Sequence, residues 1–274
     1  LYNHKSIILM KKLLTICFIL IHTWSLASNN DQAPWYIVQI SDPQLGFIEK
    51  NKSIEQETIL LKKAIQKINS LQPEILVITG DFVTSTHNIE QIKKFKELCH
   101  LISHEILLYK VPGNHDIGNS CNKENVDFYN AQYGEDHFSI LHKGVQLIGI
   151  NSCLIKDDAP QQKHQLQWLH KELKQKCKIE QRIIFGHHPF FLSNISEKES
   201  YSNMPIKIRT IYNALFLKYH VSHYFAGHLH NNATAENNGI KYITTSALGK
   251  QLGNARSGIR IIQIKNKKIS HLYV

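Results

Sequence analysis

At 274 residues, 42% of them hydrophobic and 20% charged, the chain is long enough for one large hydrophobic core and too apolar for a disordered or fibrous class. Its formal charge of +10 comes mostly from lysines dispersed along helical stretches such as Lys62-Lys63 and Lys93-Lys94, with four arginines in all. A nucleic-acid reader would cluster that charge into a stripe with aromatics between; none is present, so no nucleic-acid partner is expected, and the surplus favours anionic substrates through steering.

Leu1 is not the expected initiator, whereas Met10-Lys11-Lys12 followed by Leu13 to Leu20 has the charged and apolar regions of a secretory signal, and Ser25 and Ala27 fit cleavage after Ala27. Residues 1–9 then form a spurious extension before Met10. The apolar core is shorter than the ~20 residues of a spanning helix and is interrupted by His22 and Thr23. The expectation is a signal peptide over 1–27, no stable membrane anchor, and a single domain over 28–274, exported to the periplasm or secreted. Cleavage leaves Cys99, Cys121, Cys153 and Cys177, whose spacings match no zinc motif and allow three disulfide connectivities. Buried, unpaired thiols explain them as well.

The mature chain opens with a β-branched apolar run, Trp35 to Ile40, which predicts a strand ending at Ser41-Asp42. Ile54, Ile59, Leu60, Leu61, Ala64, Ile65 and Ile68 follow at helical spacing and predict a crossover helix over residues 53–71. A buried strand from Ile75 to Thr79 ends at Gly80-Asp81, a helix covers about 88–103, and a strand from Ile106 to Val111 delivers the loop Gly113-Asn114-His115-Asp116. This strand and helix alternation implies parallel pairing with right-handed crossovers. A helical patch near 123–132 precedes two strands, 138–141 and 145–151, turned by Lys143-Gly144. An amphipathic helix over about 161–177 leads to strand 182–185 and Gly186-His187-His188-Pro189. After an irregular stretch, 191–204, a helix over about 205–219 precedes strand 221–225 and Gly227-His228-Leu229-His230. Closing strands are expected at 241–245, 258–264 and 269–274.

Singly, each polar cluster is weak evidence, because an aspartate after a strand is more often a cap or turn former. Five of them at strand exits form a pattern, since in an α/β sheet such exits gather along one edge. The pooled ligand set is Asp42, Gln44, Asp81, Asn114, His187, His228 and His230. Holding that many carboxylates and imidazoles together calls for two divalent ions, with Asp81 as the natural bridge. Mixed oxygen and nitrogen donors suit manganese, iron or zinc. His188, Lys250 and Arg256 are candidate substrate contacts, while His137, His142, His164, His170 and His220 have no strand-exit context and are expected at the surface.

The ordered set Asp42-Pro43-Gln44, Gly80-Asp81, GNHD at 113–116, GHHP at 186–189 and GHLH at 227–230 resembles the calcineurin-like metallophosphoesterase superfamily. The resemblance implies an α/β four-layer α-β-β-α sandwich, two mixed sheets flanked by helices. It also implies one ion on Asp42, Gln44, Asp81 and His230, and the other on Asp81, Asn114, His187 and His228. His115 would be the acid meeting the leaving-group oxygen or the phosphoryl group, with Asp116 holding its imidazole. Gln44 departs from the usual histidine. D-P-Q, GNHDIGN at 113–119 and the stretches 133–139 and 246–253 are similar to a narrower branch, classed as serine/threonine phosphatases, whose members share that glutamine.

The function this implies is phosphomonoester hydrolysis of the serine/threonine phosphatase type, by a hydroxide shared between two divalent ions. A phosphodiesterase acting on cyclic nucleotides, nucleotide esters or lipid headgroups is the enzymatic alternative, motivated by GHHP and by export. A metal-binding protein without turnover is the alternative from another class, motivated by Gln44. The arginine signature of the large protein phosphatases is missing after Gly80-Asp81, and nothing in the sequence fixes the oligomeric state.

Overall fold

Buried β-branched runs alternating with amphipathic segments build two sheets, each covered on one face by helices. The computed structural model describes residues 33–274 except 119, 176 and 177. The expected signal peptide and Cys177 lie outside the described residues. Cys99, Cys121 and Cys153 are free thiols, and no helix among the described residues is long and apolar enough to cross a membrane.

The first half alternates β1 (Trp35–Ile40), α1 (Glu55–Leu71), β2 (Ile75–Thr79), α2 (Ile89–Cys99) and β3 (Leu107–Val111). The two helix-linked strand pairs are parallel. One helical turn, α3 (Asn114–Ile117), and α4 (Lys123–Tyr133) follow. The second half contains β4 (Phe138–His142), β5 (Val145–Gly149), α5 (Ser152–Lys156), α6 (Gln162–Leu173), β6 (Gln181–Phe185), α7 (Ile206–Lys218) and β7 (Val221–Ala226). The chain closes with β8 (Ala233–Asn237), β9 (Ile240–Thr244), β10 (Arg260–Lys265) and β11 (Lys268–Tyr273). The first sheet has the order β11-β10-β1-β2-β3 and the second β4-β5-β6-β7-β9-β8. Both are mixed, since β10, β11, β4 and β8 pair antiparallel with their neighbours.

The side-chain period of two along each strand sorts the core into three layers. Ile37, Ile75, Val77, Phe185, Phe225 and Ile243 meet between the sheets. Val38, Ile40, Leu76 and Ile78 face the other way, against Leu61, Ile65 and Ile68 of α1 and Ile92 and Phe95 of α2. Ile148, Ile184 and Tyr224 pack on Leu169 and Leu173 of α6 and Tyr212 and Phe216 of α7. Each such side chain contributes about 1.5–3 kcal/mol by leaving water. The expected α-β-β-α layering is therefore what the chain forms.

Several boundaries differ from expectation for local reasons. Helix α2 stops at Cys99 because Asn69 of α1 holds the next turn, donating to the Leu101 carbonyl and accepting from Ser103 N–H at 2.7 and 2.9 Å. Helix α6 ends at Leu173, where the Glu172 and Leu173 carbonyls accept from Gln146 and Arg182 of the sheet. The edge strand β8 was not expected; it pairs with β9 through Asn238-Gly239, both at positive φ, the geometry of a two-residue hairpin turn. The strand exits do not share one sheet edge. Three leave the first sheet and two the second, and they meet because the two sheets pack face to face.

Candidate metal centre

Each strand exit presents its polar group through a constrained turn. Asp42 and Gln44 follow β1, Asp81 follows β2, Asn114 and His115 open α3 after β3, His187 follows β6, and His228 and His230 follow β7. Asp42, Gln44, Asp81, His228 and His230 all have positive φ, between 41° and 68°. Non-glycine residues rarely adopt that region, at a cost of order 1–3 kcal/mol each, and such strain concentrates at functional sites. Two motif glycines serve close approach: a Cβ on Gly113 would lie 2.1 Å from Asp81 Oδ1, and one on Gly227 would lie 2.6 Å from Asp42 Oδ2.

The ligand candidates converge as two groups that share one residue. Asp81, His187 and His228 form one, Asp42, Asp81 and His230 the other, each with donor atoms within 4.8 Å of one another and all buried. Donors bound to one ion at about 2.0–2.2 Å lie at comparable mutual separations. His187 Nε2 is 3.3 Å from Asp81 Oδ2, 3.2 Å from Asn114 Oδ1 and 3.2 Å from His228 Nδ1, and His230 Nε2 is 3.3 Å from Asp42 Oδ1. The opposite nitrogens are tied down: His187 Nδ1 donates to the Thr79 carbonyl at 2.8 Å and His230 Nδ1 to the Lys250 carbonyl at 2.5 Å. A carbonyl only accepts, so both rings present Nε2 to the centre, the outer bonding that metal-ligating histidines use. Asp42 Oδ1 and Gln44 Oε1 are buried and accept no hydrogen bond. Buried acceptors left unsatisfied at the strand exits that carry these imidazoles are a donor set that divalent cations fill.

The electrostatics match crowded charge. Burial works against the charged forms of Asp81 and His187, yet their mutual attraction holds the Asp81 carboxyl well below the usual range and the His187 imidazole above it. His230 rises for the same reason, burial being outweighed by Asp42. Burial and the charge of His187 push His228 down to about 4, leaving a neutral imidazole.

His115 is half-buried at the rim, its backbone N–H on Asp81 Oδ1 at 2.9 Å and its Nδ1 on the Thr84 carbonyl at 2.8 Å. Nε2 is the nitrogen left to exchange a proton with a substrate. The expectation that Asp116 holds this ring is corrected. Its carboxylate is fully buried and accepts from the N–H groups of Phe82 and Gly113, both at 2.8 Å, clamping the Asp81 turn to the α3 turn.

The substrate candidates separate. His188 is buried, its ring tilted against that of His228 at 4.4 Å between centroids, with Nδ1 3.2 Å from the Ser152 hydroxyl. Lys250 serves through its carbonyl on His230, and its Nζ lies 5.8 Å from the Phe47 ring. Arg256 is exposed, its carbonyl accepting from the Tyr273 hydroxyl, and none of its recorded contacts reaches the centre. Two of the expected surface histidines pair with carboxylates, His137 with Asp136 and His142 with Glu74, and His170 bonds the Tyr219 hydroxyl.

Three contributors escaped sequence reasoning. The Ser152 hydroxyl accepts from both His187 and His188 N–H, at 2.9 and 2.8 Å. Phe47 sets its ring against His230 at 5.3 Å and His115 at 6.5 Å. Tyr201 lies over His228 at 4.7 Å. Only Phe47, next to the first motif, carried a local signal.

A family model described as calcineurin-like phosphoesterase matches residues 36–232. A Danio rerio protein named serine/threonine-protein phosphatase CPPED1 is 31% identical over 261 residues, 88% of this chain and 84% of the relative. The Homo sapiens protein of the same name is 31% identical over 263 residues, with the same coverage. Among solved structures, a dimetal phosphatase from Danio rerio superposes with a TM-score of 0.63 over 87% of this chain and 98% of that one, at 12% identity, a likeness of fold.

Proposed function

Because this chain belongs to the calcineurin-like phosphoesterase family, a family of phosphoester hydrolases, we propose that it is a phosphomonoesterase of the serine/threonine phosphatase type working at a dinuclear metal centre. The observation that carries the reading is the pair of buried donor groups sharing Asp81.

In this reading Asp42, Gln44, Asp81 and His230 hold one ion, and Asp81, Asn114, His187 and His228 the other. The buried acceptors without hydrogen bonds on Asp42 and Gln44 support it, since each would otherwise cost about 1–3 kcal/mol. When bound, two divalent cations, manganese, iron or zinc, lower the pKa of water toward about 7 and neutralise phosphoryl charge. Asp81, fixed by His115 N–H, keeps the two ligand sets in register. Thr79 and Lys250 carbonyls orient His187 and His230. His115, oriented by the Thr84 carbonyl, gives a proton from Nε2 to the departing alcohol, help that typically adds about 10²–10⁴ in rate. The neutral amide of Gln44 makes its ion the more weakly held. Export after cleavage near Ala27 belongs to the same reading, supported by the Met10 to Leu20 run.

The test is side-by-side turnover of an aryl phosphate and a bis-aryl phosphate under manganese, iron and zinc, with His115→Ala as control. Metal-dependent monoester hydrolysis lost in the variant is the expected result. A strong preference for the diester would overturn the monoester assignment, and inertness on every phosphoester under all three metals would overturn turnover itself.

A further inference from the structure

The segment joining β6 to α7 carries no regular structure between residues 190 and 205, yet it is densely tied. The Glu197 carboxylate accepts from the N–H groups of Leu192, Ser193 and Asn194, from the Ser193 hydroxyl and from the Asn203 amide. The guanidinium of Arg209, reaching from α7 and buried, donates to the carbonyls of Met204, Ile195 and Glu197 at 2.7, 2.9 and 2.6 Å. Lys156 of α5 donates to the Ser200 and Asn203 carbonyls, and Glu199 accepts from Ile206 N–H. These bonds flank Tyr201 on both sides, and what they hold in place is an aromatic side chain 69% exposed, more than any other large apolar residue among those described. A loop fixed at this cost to present an aromatic to solvent at a site is built for contact.

The direction of the contact follows from the hydrogen bonding. Asn114 turns Oδ1 inward to His187 Nε2, so its Nδ2 faces out, 3.4 Å from the Tyr201 hydroxyl oxygen. An amide nitrogen only donates, so the hydroxyl accepts that bond and its own hydrogen is free to point into the cleft. The ring packs on His228 at 4.7 Å, which sets the hydroxyl, already on Asn114, beside the donor group of Asp81, His187 and His228.

We propose that Tyr201 is a substrate-contacting residue whose hydroxyl donates a hydrogen bond to a non-bridging oxygen of the phosphoryl group. The assignment rests on the phosphoester hydrolase reading above. It adds a neutral donor to a centre whose other groups are the ligands and the acid His115, and it joins the segment held by Glu197 and Arg209 to the chemistry.

Tyr201→Phe keeps the ring on His228 and deletes the donor; Tyr201→Ala removes both. With manganese-loaded protein, Tyr201→Phe is expected to lower kcat/KM for an aryl phosphate about 10- to 100-fold, the range of a hydrogen bond to a charged group. It should weaken inorganic phosphate binding, read by calorimetry, by about tenfold, with metal content and Tm unchanged. Equal phosphate affinity and equal kcat/KM in wild type and Tyr201→Phe overturn the proposal, as does a loss that tracks lost metal, since that would make Tyr201 a prop for His228. If the wild type hydrolyses no phosphoester, the hydrolase reading fails separately, and the phosphate titration still decides: tighter binding to wild type supports the contact, equal binding overturns it.

Discussion

Replacing Gly113 with alanine perturbs the centre through one added carbon. Gly113 sits at φ −104° and ψ 175°, an extended conformation open to alanine, so backbone strain contributes nothing. The new Cβ would lie 2.1 Å from Asp81 Oδ1, 2.4 Å from Asp81 N and 2.8 Å from Asp81 Cγ. Comfortable separation is about 3.5 Å, so the carboxylate must retreat by roughly 1 Å or the two turns must part. Metal ligation tolerates displacements of about 0.2 Å, and a misplacement of about 1 Å at a reacting centre can cost about 10²-fold in rate. Overpacking should also cost about 1–3 kcal/mol, which for a chain of this size lowers Tm by about 2–4 °C per kcal/mol. Elemental analysis after dialysis against manganese, a thermal melt and kcat/KM for an aryl phosphate read all three effects. A folded variant with substoichiometric metal and activity down about 10²-fold is expected. Full metal content with a rate near wild type would show that Asp81 does not hold the position argued for it.

Asp81→Asn keeps the shape of the shared side chain and removes its charge. Both ions should bind more weakly and the rate should fall by at least about 10²-fold, more than the loss seen for outer-shell changes; unchanged metal content and rate would reassign the bridge. Gln44→His supplies an imidazole in place of an amide, and chelator competition should show one of the two ions held more tightly, weaker binding counting against a ligand role for Gln44. His223 is pushed down to about 4 by burial, with Lys241 and His271 adding to it, and its Nε2 is buried without a partner. The fold therefore favours its neutral form: this stability is complete above the unfolded pKa of about 6.5 and is lost as pH falls toward 4, about 3 kcal/mol in all. Denaturation profiles across that window should be steeper for wild type than for His223→Gln, and parallel profiles would remove His223 as the source.

The strands and the five motifs were legible because each depends on local composition: β-branched runs such as Ile75 to Thr79 bury whole, and a glycine before a polar residue marks a strand exit. What was not legible depends on distant partners. Asp116 adjoins His115 in sequence, and adjacency suggested pairing, but neighbours on a helical turn point about 100° apart, so the carboxylate turns into the fold while the imidazole faces out. The group that orients His115 is the carbonyl of Thr84, and any residue type supplies a carbonyl. Tyr201 is placed by Glu197, Arg209 and Lys156 together, an arrangement without periodicity. Strand β8 reads ATAEN, with only Ala235 buried, too polar to signal itself.

The centre is divided between the sheets: Asp42 and Asp81 stand on one, His187, His228 and His230 on the other. Hydrogen bonds already cross that division, among them those from His187 Nδ1 to the Thr79 carbonyl and from His228 N–H to Asp42 Oδ2. An ion bound by both halves is then a ligand of the docked state alone and stabilises docking by mass action, about 2.7 kcal/mol at a hundredfold excess over its Kd. Metal supply would then act on folding as well as on catalysis. Chelation should loosen the layer formed by Val77 and Phe225 and speed hydrogen exchange there, far from any substrate.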